Sequence, residues 1–283
     1  MIKKLLASNK PIMIARIGES ELEVIRNYLA IQSCLRGRLY CWWHYILHAE
    51  LPKWSGRQTL VIDSGFFPET DEMLSLFSRN FIEDLKYIDG LGIWYNKSED
   101  YVARRYFPKA ALFPLESIEP YFFKEPWTAL LEGKKVLVVH PFAESIAHNY
   151  LKHRKLFNNP KVLPTFQLNV IKAVQTIAKT PSEFKTWFDA LNAMCDKIKE
   201  SDFDIAIIGA GAYGLPLAAF VKRLGKKAIH MGGATQILFG IKGVRWDNSP
   251  LFQSLYNEYW TRPLEAETPK NYKAIGEGNY SYW

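Results

Sequence analysis

The chain has 283 residues, 48% hydrophobic and 14% aromatic, which suits one large or two small folded domains and excludes a disordered chain. Its net charge of +7, with a pI near 9.1, favours anionic ligands or peripheral association with an anionic membrane surface. No apolar run is long enough to span a bilayer, and the opening MIKKLLASNKPIMIARIG lacks a signal-peptide cleavage region, so the cytoplasm is the expected compartment. Cys34, Cys41 and Cys195 form neither an even disulfide framework nor a CxxC zinc pair, and free thiols in a reducing compartment are expected. Nucleic acid is not an expected partner, because no helix-turn-helix, zinc-finger or RNP pattern is present and the aromatic residues sit in apolar runs.

Residues 11–17, PIMIARI, read as a strand, and Gly18-Glu19-Ser20-Glu21 turns into an amphipathic helix over 22–30. Acidic residues in a first helical turn oppose the helix dipole, which by itself explains Glu19 and Glu21. Arg16 at the strand end adds a second explanation. Carboxylate oxygens suit Mg²⁺ or Mn²⁺ and a guanidinium suits phosphate, so the three residues together could hold a metal–diphosphate. In residues 34–57, Trp42, Trp43 and Trp54 accompany His44 and His48 in a helical segment. The histidines have the spacing of a zinc pair, but Tyr45 stands where HExxH has its glutamate, so an aromatic face in the core or along an acceptor groove is expected. Residues 60–63 predict a strand ending at Asp63, followed by a loop and a helix over 70–81. Residues 90–125 alternate aromatic and turn residues and define no element. Tyr101, Arg104 and Arg105 are either substrate contacts or plain surface.

Residues 134–139 repeat the opening pattern and lead into His140-Pro141-Phe142-Ala143-Glu144-Ser145 before a helix over 146–156. His140 and Glu144 are candidate binding residues there, although a loop histidine often only bonds a backbone carbonyl. Residues 167–178 and 182–200 are expected as helices, the second capped by Pro181-Ser182-Glu183. The clearest stretch is 204–235. A β-branched strand over 205–208 meets Gly209, Gly211 and Gly214, a helix follows over 215–224, Gly225 stops it, and a strand over 228–231 ends on Gly232-Gly233. Loops at the carboxyl ends of adjacent parallel strands form a ligand crevice, which makes Gly209, Gly211, Tyr213, His230, Gly232 and Gly233 candidate binding residues for an anion. The spacing Gly209-x-Gly211-x-x-Gly214 matches the dinucleotide fingerprint, but His230-Met231 stands where that fingerprint has an acidic residue for the ribose. An NAD or FAD site, a nucleotide-phosphate site without nicotinamide, and glycines needed only for turning and packing all remain open.

The fold class expected is α/β, Rossmann-like, with a mostly parallel sheet and helices on both faces. Residues 1–256 form one domain with halves 1–125 and 126–256, and residues 257–283 an irregular tail. The tail carries Trp260, Trp283 and four tyrosines, too many rings for a solvated terminus, so it is expected to dock, as a wall of the site or on an apolar flank.

Three blocks resemble one family. Arg16-x-Gly18-x-x-Glu21 resembles the R-[FL]-G-[DE]-x-E opening of glycosyltransferases of the GT-D fold, with Glu19-Ser20-Glu21 in place of their Asp-x-Glu. KKVLVVHPFAESI is similar to their GK[KR]VLVIGPF-x-x-S, with His140 in place of glycine. Residues 204–212 and 225–233 resemble their late βαβ unit with its G-x-x-A-[IVL]-[DH]-x-G ending. The resemblance implies transfer of a sugar from a nucleotide diphosphate donor, UDP-linked, to a glycan or glycoprotein acceptor. It also implies that Glu19 and Glu21 assist Mn²⁺ or Mg²⁺ and the acceptor hydroxyl, and that Arg16, Gly18 and the later loops hold the donor. The rivals are an NAD(P)- or other nucleotide-dependent enzyme of another class and a non-catalytic nucleotide-binding module.

Overall fold

The computed structural model describes residues 1–35, 54–275 and 282–283. Seven parallel strands form one sheet: β1 (Ile12–Ala15), β2 (Gly90–Ile93), β3 (Ala111–Pro114), β4 (Lys135–His140), β5 (Gln167–Lys172), β6 (Ile205–Ile208) and β7 (Lys227–His230). Their order is β3-β2-β1-β7-β6-β4-β5, so a single sheet runs through both halves of the chain. The seam is the β1–β7 pair, where Ile12 lies beside Lys227 and Ile14 beside Ile229. The chain leaves β1 toward one edge and returns to β7 from the other. A crevice therefore opens at the carboxyl ends of this pair.

The short strands are apolar on both sides, and alternate residues feed two cores. Met13 and Ala15 of β1, Leu137 and Val139 of β4 and Ala206 and Ile208 of β6 join one core; Ile12 and Ile14, Val136 and Val138, and Ile205 and Ile207 join the other. The helices of the described residues are α1 (Ile2–Leu6), α2 (Glu19–Leu35), α3 (Arg57–Ser64), α4 (Asp71–Leu85), α5 (Glu99–Tyr106), α6 (Ala143–Tyr150), α7 (Trp187–Glu200), α8 (Gly214–Arg223) and α9 (Ala234–Leu238), with shorter turns after them. The first core is covered by α2, α3, α4, α5, α7 and α8, and the second by α1, α6, α9 and the tail. Helices on both faces of a parallel sheet make the fold α/β and Rossmann-like.

Three elements differ from expectation. Residues 60–63 belong to helix α3, because a run of three apolar residues fits a buried strand or one helical turn equally well. Gly56 and Gly65, both at φ +77°, close the two ends of this helix, and Leu60 and Val61 are its buried side. Residues 167–172 form the edge strand β5 instead of a helix. Half-buried Leu168 and Val170 alternate with exposed Gln167 and Asn169, a period of two, and pairing to β4 runs from Lys135 with Gln167 to His140 with Lys172. Helix α7 starts at Trp187, where Thr186 Oγ1 accepts from the Asp189 N–H at 3.1 Å and Asp189 Oδ2 accepts from the Thr186 N–H at 3.0 Å. This capping box replaces the predicted Ser182 cap. It anchors the buried Trp187, whose ring stacks on Tyr213 at 4.7 Å.

The tail docks. Trp260, Ile275 and Trp283 enter the second core, and the Trp260 indole donates to the Leu156 carbonyl at 2.8 Å. Glu267 is buried, and its carboxylate accepts from the backbone N–H groups of Glu144 at 2.7 Å and Ser145 at 3.3 Å and from the Ser145 hydroxyl. It thus satisfies the amino-terminus of α6 with a charge of the favourable sign. Trp54 packs on the first core, while Cys41, Trp42, Trp43, His44 and His48 lie outside the described residues. The Cys195 thiol is free, and burial pushes it up to about 12. Among the described residues, no helix is long and apolar enough to cross a membrane.

Candidate functional site

The carboxyl ends of the strands surround a cavity of about 940 Å³. Arg16 and Gly18 reach it from β1, Glu19 and Glu21 from the start of α2, His140 from β4, Gly209, Gly211 and Tyr213 from β6, and His230, Gly232 and Gly233 from β7. Glu144 stays outside it. The Glu144 carboxylate pairs with Lys172 at 3.1 Å, and its backbone N–H is taken by Glu267. Tyr101, Arg104 and Arg105 do not line this cavity either; Arg104 pairs with Asp100 on the outer side of α5.

Arg16 is held where the two halves meet. Its side chain lies over Gly232, where an added Cβ would stand 3.3 Å from Arg16 Cδ, and its guanidinium stacks 3.9 Å from the centre of the Trp94 ring. Stacking fixes the direction of a flexible cation. Trp94 is fixed in turn by the buried Glu99, whose Oε2 accepts from the Trp94 N–H at 2.9 Å and the Asn96 N–H at 3.3 Å. Asn96 donates to the Ile17 carbonyl at 3.2 Å, tying the β2 loop to the β1 loop. Arg245 reaches the same indole, 5.9 Å from its centre.

The two carboxylates of the opening motif are differently placed. Glu21 is buried against Gly18, where a Cβ would come within 2.1 Å of Glu21 Oε2, and it accepts from the Ser20 hydroxyl at 3.0 Å. Ser20 also meets Ser64 Oγ at 2.8 Å, which joins α2 to the end of α3 and places Asp63 on the cavity wall. Glu19 is exposed at the rim. No group of three or more His, Cys, Asp or Glu side chains is arranged to hold a metal among the described residues. A cation shared with substrate phosphates needs only one or two carboxylates, and Glu19 and Glu21 both line the cavity.

Both cavity histidines are neutral. Burial lowers His140 to about 3, and its Nδ1 accepts from the Phe142 N–H at 3.0 Å, so Nε2 carries the proton. Burial, helped by the Arg16 charge, lowers His230 to about 3 as well, and its Nδ1 lies 3.3 Å from the Ile208 carbonyl. The His230 ring packs on Gly214, where an added Cβ would stand 2.1 Å from Cε1. Gly209 is equally confined, 2.5 Å from the Gly232 carbonyl and 2.7 Å from the His140 ring by the same measure. These glycines let the β4, β6 and β7 loops touch. Gly214→Ala is accordingly expected to cost about 2 kcal/mol or more through overpacking, and an unchanged urea midpoint would contradict this geometry.

Tyr213 commits its ring to Trp187, and only its hydroxyl, 3.5 Å from Thr176 Oγ1, faces the polar wall; burial raises its phenol. Several lining residues come from stretches without a sequence signal. Trp94 and Asn96 follow β2, Glu119 follows β3, and Arg245 and Trp246 lie beyond α9. Tyr282 and Trp283 line the cavity from the tail, with Tyr282 Cε1 2.7 Å from where a Gly233 Cβ would be. Alternating strands and glycine turns can be read locally, whereas these residues are defined only by which strand end they follow. No family model, curated protein or solved structure matches the chain.

Proposed function

We propose that this protein is a glycosyltransferase that moves a sugar from a nucleotide diphosphate donor, UDP-linked, to a hydroxyl of a glycan or glycoprotein, assisted by Mn²⁺ or Mg²⁺ at Glu19 and Glu21. The observation that carries this reading is the Arg16 guanidinium. It is stacked on Trp94 at the β1–β7 crevice, over the glycine loop of β7 and in the same cavity as the α2 carboxylates. Cleavage of a glycosyl–phosphate bond moves negative charge onto the departing diphosphate, and a cation oriented beforehand stabilises that charge without reorganising. The bound metal would supply Lewis-acid stabilisation to the same oxygens. Trp246, Phe252 and Tyr282 offer ring faces to a base or a sugar. A dinucleotide is less well served, because His230 stands buried and packed where the ribose carboxylate would be. In this reading the protein works in the cytoplasm, and its charge of +7 supports transient contact with an anionic membrane surface.

UDP is expected to raise the thermal midpoint in a Mn²⁺-dependent manner, by about 2.7 kcal/mol of stabilisation at a concentration of roughly 100 Kd. Arg16→Ala should remove most of the shift, and NAD should produce none. A midpoint that responds to NAD but not to UDP would reject the transferase reading.

A further inference from the structure

Tyr101, Arg104 and Arg105 stand apart from the main cavity, on a surface with a shape of its own. Helix α5 buries Val102 and Ala103 in the first core and leaves Asp100, Tyr101, Arg104 and Arg105 exposed. It does not cover the edge of the sheet. Between α5 and the β2–β3 pair lies a hollow of about 430 Å³, lined by Leu91, Ile93, Ala103 and Leu112 together with the exposed Tyr95 and Arg104. Leu91 and Leu112 are register partners, so they stand side by side on one face of the sheet. Leu91 is buried, whereas Leu112, on the edge strand, remains 47% exposed.

The loop from β2 to α5 holds an aromatic ring beside this hollow. Tyr95 is 82% exposed and sits at φ +61°, a left-handed conformation that is costly for a bulky side chain. The turn is braced from two sides. Glu99 Oε2 accepts from the N–H groups of Trp94 and Asn96, and Arg26 Nη1 donates to the Lys97 carbonyl at 3.1 Å. A ring kept in water by a strained, braced turn and set next to an open apolar hollow points to something outside the chain. Charge on the same surface is one-sided. Lys97 precedes α5, Arg104 and Arg105 lie in its last turn and Lys109 follows it, all exposed. Against them stands Asp100, which pairs with Arg104; Glu99 is buried, and Glu116 lies on the wall of the main cavity.

We propose that this α5–β3 edge is a docking surface for an anionic lipid bilayer. Tyr95, Tyr101 and Leu112 enter the boundary between headgroups and acyl chains, where tyrosine rings are favoured, and the hollow between α5 and β3 receives apolar lipid. Lys97, Arg104, Arg105 and Lys109 meet the lipid phosphates. A protein partner is less well matched, since a standard interface takes about 800 Å² on each side. Three exposed apolar side chains supply little of that, but shallow insertion and the summed pull of several cations are enough for reversible attachment to a bilayer. Asn96 lines both the hollow and the main cavity, so the docked face adjoins the site that holds Arg16. The inference does not depend on the transferase reading.

The test is sedimentation of the whole chain with vesicles, either of phosphatidylcholine alone or of an equal mixture of phosphatidylcholine and phosphatidylglycerol. Binding to the mixture is expected, at least tenfold tighter than to phosphatidylcholine and weakened by salt. Arg105→Glu with Lys109→Glu should weaken it tenfold or more, at roughly fivefold for each charge removed. Tyr95→Asn with Leu112→Thr should also weaken it tenfold or more without altering charge; asparagine tolerates the positive φ, and both side chains are exposed, so the melting temperature should hold. Lys134→Glu with Arg154→Glu, which changes the net charge equally at exposed positions elsewhere, should leave binding within about threefold. Absence of binding to the mixed vesicles overturns the proposal. So does equal weakening by the Lys134 and Arg154 changes, or full binding by the Tyr95 and Leu112 variant, because either would reduce the attachment to unspecific charge attraction. A dimer in sedimentation velocity that the Tyr95 and Leu112 changes dissociate would assign the face to a second copy of the chain instead.

Discussion

Acidification from about pH 7.5 to about pH 5.5 is expected to remove on the order of 3 kcal/mol of folding stability. The cause is the pair of neutral histidines behind the cavity. His140 and His230 titrate near 6.5 when unfolded and are lowered to about 3 in the native protein, chiefly by burial. Below pH 6.5 the unfolded chain binds protons that the folded chain refuses, so stability falls as pH drops from 6.5 toward about 3. Asp84, Glu99 and Glu119 act in the opposite direction, because burial raises their native carboxyls and they bind protons first in the folded state. Their effect enters above the usual carboxylate range and offsets part of the loss at lower pH. The informative window is therefore the upper one. Urea midpoints measured across it should show the decline, and His140→Asn should halve its slope even if the variant is less stable overall. A flat midpoint between about pH 7.5 and pH 5.5 would mean that the two rings are protonated or solvated in the native state.

Glu267→Ala is expected to cost about 3 kcal/mol, because it leaves two backbone N–H groups, one of them buried, and a buried hydroxyl at the start of α6 without an acceptor. Those donors belong to Glu144 and Ser145, and the same carboxylate anchors the tail across the second core. Further consequences follow from connectivity. The Trp283 indole donates to the Glu267 carbonyl at 3.2 Å and meets the Phe142 ring at 5.6 Å, so loosening residue 267 also releases the ring that closes this side of the cavity. The variant should therefore show a lower melting temperature together with red-shifted tryptophan emission. Ser145→Ala should cost less, about 1 kcal/mol, since the two backbone donors keep their partner. A Glu267→Ala protein that melts like the wild type would show that water replaces the carboxylate without loss.

What the sequence by itself determined is the part governed by neighbours along the chain. Strand β6 lies at 205–208 as expected, since an apolar β-branched run followed by glycine fits a central parallel strand. The same local logic located the glycine turns, the carboxylates at the start of α2 and Arg16 at the end of β1, and it required that a tail so rich in rings be docked. Only the tertiary structure decided the rest. Leu60-Val61-Ile62 became helix because two left-handed glycines bracket it, and residues 167–172 became strand because the edge of β4 was open to pair. Strand β2 carries two glycines in four residues, a composition that conceals a strand until β1 and β3 lie on either side of it. Trp94, Glu119, Arg245 and Tyr282 consequently carried no local sign that they share a cavity with Arg16. They are separated along the chain by up to most of its length and are joined only because a parallel sheet sends every strand's carboxyl end to the same edge.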